Sequence, residues 1–197
     1  MNKMKYNPLL HHRDSIRLKG YDYSKEGLYF ITICTNDRLC FFGNVKDGKM
    51  VLNEKGGIAK QCWSGIPLHY PNVVLHEYVV MPNHVHGIIE LTVAPAVPAD
   101  VVGVQNLGVR VQNFEPLQQR HEPQRNQFQK IIPRSVGSII RGYKIGVTKW
   151  FRENTDVHTV WQRNFYEHII RNEQSFENIA RYIVNNPANW KEDKFYK

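Results

Sequence analysis

The stretch His76–Glu90, HEYVVMPNHVHGIIE, decides how this chain folds. Two apolar runs, one ending at Val80 and one running from His84 to Leu91, are separated by Met81-Pro82-Asn83. Both are rich in β-branched residues. A connection this short makes them an antiparallel hairpin, expected over Val73–Val80 and His84–Leu91. Side chains two apart on a strand share a face. His84 and His86 therefore project together at the start of a strand that otherwise reads as core, while Val85 packs the other way. Two imidazoles on one face can grip a divalent metal. The competing reading is a pair of exposed histidines beside a turn.

Upstream of the hairpin, GLYFITICT (Gly27–Thr35) is crowded with Phe, Ile and Thr and is expected as a strand. A turn at Lys46-Asp47-Gly48 leads into MVLN. Ile58, Cys62 and Ile66 recur at spacing four, which predicts a helix from Glu54 to Ile66, ended by Pro67. Downstream, about 93–133 is rich in Pro, Gln and Asn and has no sustained period, as expected of a flexible insertion. Order returns with a helix whose apolar stripe is Val136, Ile139, Ile140, Tyr143, Val147, Trp150 and Phe151. Arg134, Arg141, Lys149 and Arg152 fall on its opposite side. A strand is expected at Phe165–Ile170, then a helix capped by Asn172 with Glu173 in its first turn. The expected fold is α+β, a ferredoxin-like antiparallel sheet with helices mainly on one face.

The last helix carries the second half of the chemistry. Its apolar stripe is Phe176, Ile179, Ala180, Ile183 and Val184, and Tyr182 lies roughly 120° from the middle of it. Asn186 follows one turn later on the face of Tyr182. A phenol and an amide oxygen beside a His-x-His pair would make a compact site; packing or capping roles are the alternative.

With 197 residues the chain suits a single domain, 1–197, and an apolar fraction of 42% places it among globular rather than disordered chains. A net charge of +8 points to a polyanionic partner, nucleic acid first. No apolar run is long enough to span a membrane, and the N-terminus lacks a secretory h-region. The odd set Cys34, Cys40 and Cys62 has no CxxC pair, as expected of reduced thiols in a cytoplasmic protein.

MPNHVH, WQRNFYEH and IARYIVNNP together resemble the single-tyrosine HUH transposases (His, hydrophobic, His), and within them the REP-associated tyrosine transposases that act on repeated extragenic palindromes of bacteria. RDSIRLKGYDYS near the start resembles the same branch, and the resemblance covers about 13–91 and 135–190. It implies His84, His86 and Asn186 as ligands of Mg²⁺ or Mn²⁺, and Tyr182 as the nucleophile. The implied reaction cuts single-stranded or hairpin DNA, leaves a 5′-phosphotyrosine and a free 3′-OH, and rejoins the strand without ATP. The polar helix face would track phosphates, and Trp161, Gln162 and Arg163 would meet bases near a hairpin foot, with core packing the competing reading of Trp161. His168 is one neighbour that could take the phenol proton. Insertion-sequence relatives are dimers, whereas the REP-associated branch can work as a monomer, so the resemblance leaves the oligomeric state open and favours a monomer over a homodimer. Two rivals stay open: a metal-dependent phosphoesterase in which Tyr182 only orients substrate, and a noncatalytic domesticated transposase that binds hairpins.

Overall fold

The computed structural model describes residues 20–93 and 132–196. Arg13–Lys19 and all but the ends of the expected insertion lie outside the described residues. Strand β1 (Gly27–Cys34) is followed by a short hairpin of β2 (Gly43–Lys46) and β3 (Lys49–Leu52), then α1 (Glu54–Ser64) and α2 (Ile66–His69). The long hairpin of β4 (Val73–Met81) and β5 (His84–Leu91) comes next, then α3 (Val136–Asn154), β6 (Tyr166–Ile170) and α4 (Glu173–Asn185). The main sheet has the order β4-β5-β1-β6, every neighbour antiparallel. This is the α+β, ferredoxin-like arrangement.

Local chemistry explains the turns and caps. Asp47 and Gly48 both take positive φ (49° and 69°), as a two-residue hairpin loop requires. The side chains of Asn53, Ser135 and Asn172 cap α1, α3 and α4 by accepting from Gly56, Ser138 and Ser175. Helix α1 stops at Ser64, two residues before the expected end. Pro67 does not terminate it but sits in the first turn of α2, where its missing N–H has no helical partner to lose. The buried side of α1 is centred on Ala59 and Trp63 rather than on Ile58 and Cys62, which are half-buried.

Strand alternation sorts the core into two sides. Tyr29, Ile31, Ile33, Val85 and Ile89 pack with Trp63 of α1 and with Val136, Ile139, Ile140, Tyr143, Val147 and Phe151 of α3. On the other face Phe30, Ile88 and Ile170 meet Phe176, Ile179, Ala180 and Ile183 of α4. Thus α1–α3 cover one face and α4 lies on the other, the face to which His84 and His86 project.

Gly87 is where β5 and α1 approach closely, at the Trp63 ring. Its α-carbon faces the Trp63 ring so closely that any Cβ would run into it. Trp63 is fully buried and meets Tyr143 edge-on at 5.3 Å. Gly87→Ala is therefore expected to cost about 1–3 kcal/mol through overpacking, lowering the melting temperature by several degrees. A thermal melt equal to wild type would show that Trp63 can move aside.

Candidate active site

The β-bridge pattern sets the site. In the β1/β5 register Thr32 pairs with His86 and Cys34 with His84, and Thr32 Oγ1 lies 2.8 Å from His86 Nδ1. Both histidines are fully buried, and their ring centroids are 4.4 Å apart. Helix α4 crosses this face. The Tyr182 hydroxyl lies 3.2 Å from His86 Nε2, and the residue as a whole is 41% exposed. Asn186, the C-cap of α4, is buried. The structure thus brings His84, His86, Tyr182 and Asn186 into one cluster.

Asp193 joins them. It follows the 3₁₀ turn Trp190–Glu192 and accepts from Tyr182 Oη at 3.2 Å and from Asn186 Nδ2 at 2.8 Å. Ligand atoms of His84, His86 and Asp193 all lie within 4.8 Å of one another. Phe195 and Trp190 close over His84, with ring centroids at 4.6 and 5.8 Å. Nothing in the spacing of the sequence announced Asp193, because it reaches the site through a reversal of the chain after α4.

Burial fixes the protonation states. It lowers the pKa of His84 to about 3, and it holds His86 well below the usual imidazole value, helped by His84 alongside. Both rings are neutral at pH 7, as metal ligands must be. Burial, then the Asp193 carboxylate, pushes the Tyr182 phenol up to about 12. The phenol is therefore protonated and a poor nucleophile until positive charge arrives nearby.

The donor set fits such a charge. His84 Nε2 and Asn186 Oδ1 are both buried without a hydrogen bond of good geometry, and the Asn186 side chain stands close enough to His84 to act on its titration. Asn186 gives its Nδ2 to a carboxylate, so its oxygen offers only lone pairs. Two imidazoles, a carboxylate and an amide oxygen are a set that can hold a divalent metal.

The remaining sequence candidates separate. Arg141, Lys149 and Arg152 are exposed on α3, and Lys149 lies 4.0 Å from Glu153. Arg134 is exposed too, but it precedes the Ser135 cap, with φ 59°, and is not on the helix. Trp161 is 8% exposed and packs in the core against Phe42 and Tyr143, while Gln162 is half-buried and Arg163 exposed. Lys144 donates to the carbonyls of Gln162 and Asn164, both at 2.9 Å, tying this loop to α3. His168 is exposed opposite Phe30 in the sheet; the phenol meets His86 and Asp193 instead. Cys34, Cys40 and Cys62 form no disulfide among the described residues. Among the described residues no helix is long and apolar enough to cross a membrane.

No protein-family model matches the chain. It is 47% identical over 194 residues to an uncharacterized protein of Haemophilus influenzae, covering 98% of this chain and 97% of that one, so the two belong to one family. A second protein of the same organism, provisionally named a REP-associated tyrosine transposase, is 25% identical over 167 residues, 85% of this chain and 73% of its own length. Among solved structures, a REP-associated tyrosine transposase bound to a REP hairpin superposes with a TM-score of 0.54 at 19% identity, over 90% of this chain and 76% of that one. The fold is that of the HUH transposases.

Proposed function

Because this chain is a relative of the REP-associated tyrosine transposases and shares their fold, we propose that it nicks and rejoins single-stranded DNA at palindromic hairpins, dependent on a divalent metal and specific for sequence. The observation that carries this reading is the phenol of Tyr182 lying 3.2 Å from His86 Nε2, on a site where His84 Nε2 and Asn186 Oδ1 are buried without a hydrogen bond of good geometry. The structural neighbour bound to a REP hairpin supports hairpin DNA as the partner.

In this reading His84, His86 and Asn186 hold the metal, with Asp193 as a further oxygen ligand or as acceptor of the phenol proton. The bound cation would supply charge neutralisation for the scissile phosphate and a lower barrier to ionising the phenol. Tyr182 Oη loses its proton and forms a bond to phosphorus as the bond from phosphorus to O3′ breaks. The departing oxygen takes a proton and becomes a 3′-OH. A later 3′-OH attacks the same phosphorus and returns the phenol, so the strand is joined with no net loss of a phosphodiester. In this reading a monomer cleaves in cis, with all four side chains on one chain. The 1–197 chain is read as a single domain in which about 93–133 is inserted.

Incubation with single-stranded hairpin DNA and Mn²⁺, followed by a denaturing gel, tests the reading through a protein–DNA adduct. Nicking without an adduct would favour a phosphoesterase. Binding with neither would favour the noncatalytic binder.

DNA would lie along Arg141, Lys149 and Arg152 of α3, with Arg134, Gln162 and Arg163 beside them. Trp161 is left out of base stacking because it is core. Each phosphate contact on single-stranded DNA contributes about 0.7 to the slope of log affinity against log salt, so Arg141→Ala with Lys149→Ala should flatten it by about 1.4. Titrations at several salt concentrations read this. An unchanged slope would assign that face to plain solvation, and Lys149, near Glu153, should account for the smaller share.

A further inference from the structure

We propose that Asn83 is a positioning residue that locks His84 in the tautomer protonated at Nδ1, leaving Nε2 bare for a divalent cation. Its purpose rests on His84 being a metal ligand, as proposed above; the lock itself rests on hydrogen-bond donors and acceptors alone.

Asn83 is the last residue of the turn before β5 and is fully buried. Its Nδ2 lies 2.8 Å from the Phe195 carbonyl and 3.2 Å from the Arg38 carbonyl. Backbone carbonyls only accept, so this edge of the amide has to be the NH₂ group. A flipped amide would turn its oxygen onto two carbonyl oxygens. The amide oxygen is thereby fixed toward His84 Nδ1, at 2.9 Å. That contact is a hydrogen bond only if Nδ1 carries the proton. A neutral imidazole has one N–H, so Nε2 is left with its lone pair. This is the same Nε2 that is buried without a hydrogen bond of good geometry, on the side of the ring where the Asn186 amide acts on His84.

The backbone holds the lock in place. The Asn83 carbonyl accepts from both the amide and the hydroxyl of Thr35, at 2.9 and 3.0 Å. The bond to Phe195 also anchors the ring that covers His84 at 4.6 Å and His86 at 5.8 Å. Asn at this place in MPNHVH thus does two things: its oxygen orders the ligand, and its nitrogen ties down the C-terminal segment over the site. An aspartate could do the first and not the second, which separates the roles experimentally.

The test uses the full chain labelled with ¹⁵N-histidine, free of metal, with long-range ¹H–¹⁵N spectra to read each tautomer and Mn²⁺ titration calorimetry to read affinity. In wild type, His84 should show the Nδ1–H tautomer. Asn83→Ala should lose that preference and bind Mn²⁺ about 10–100-fold more weakly, the usual cost of removing a hydrogen bond that orients a ligand. Asn83→Asp should keep the tautomer and an affinity within a few-fold of wild type while melting at a lower temperature, since two carbonyls lose their donor. An Nε2–H tautomer in wild type would overturn the lock. So would wild-type affinity in Asn83→Ala, or an Asp variant as weak as the Ala variant. If wild type shows the Nδ1–H tautomer yet binds no Mn²⁺, the lock stands and the metal reading of the site falls. If Asn83→Ala fails to fold, the wild-type spectrum and the Asp variant still decide.

Discussion

Tyr182→Phe should abolish both nicking and the covalent adduct while leaving the melting temperature and Mn²⁺ affinity close to wild type. The substitution removes one oxygen and keeps the ring. That ring meets Phe30 edge-on at 6.2 Å and His86 at 5.2 Å, contacts a phenylalanine can retain. The two hydrogen bonds lost, to His86 and Asp193, are both 3.2 Å long at a part-exposed position, so their combined cost is modest, about 1 kcal/mol. A phosphoesterase would behave otherwise: water would attack, wild type would form no adduct, and the Phe variant would keep some activity. Two other tyrosines bear on the assignment. Tyr143 is 3% exposed on the buried side of α3 and cannot reach a polymer substrate without unfolding. Tyr166 is 39% exposed and stands edge-on to Phe30 at 6.4 Å, so it is the nearer rival. Peptide mapping of the adduct by mass spectrometry to Tyr166 would sink the role given to Tyr182.

The site was half legible in the sequence, for a physical reason. Short-period features survive without knowledge of the fold. Alternation put His84 and His86 on one strand face, and helical phase put Tyr182 off its apolar stripe and beside Asn186. What could not be read was which sheet face α4 would cover, since helix and strand each know only their own periodicity. Nor could the partners supplied by distant segments be read: Thr32 across the β1/β5 register, and Asp193 from the segment after α4, 107 positions beyond His86. The Trp161 alternatives show the same limit. An aromatic beside Gln and Arg suits base stacking as well as core, and only its bridge partner Thr35 and its packing on Phe42 assign it to the core.

His84→Ala and His86→Ala should each lower Mn²⁺-dependent nicking by more than about 100-fold, because loss of a ligand exceeds the 10–100-fold cost of disturbing a ligand's support. Hairpin binding should largely persist, since the exposed cations of α3 stand apart from the histidines. The histidines also leave a signature in stability. In the unfolded chain an imidazole gains its proton near pH 6.5, whereas native His84 resists protonation down to about 3 because burial disfavours the charge. The unfolded state therefore binds more protons, and wild-type stability is full above pH 6.5 and declines as the pH falls from there toward 3. His86, shifted in the same direction, adds to the decline. His84→Ala removes one of these groups, so its melting temperature should start lower from lost packing but fall less steeply between pH 6.5 and about 4. Melts across that range read the slope while nicking assays read the chemistry. Full nicking by either variant would remove the metal-site reading. An equally steep decline in His84→Ala would mean that another group carries the acid sensitivity.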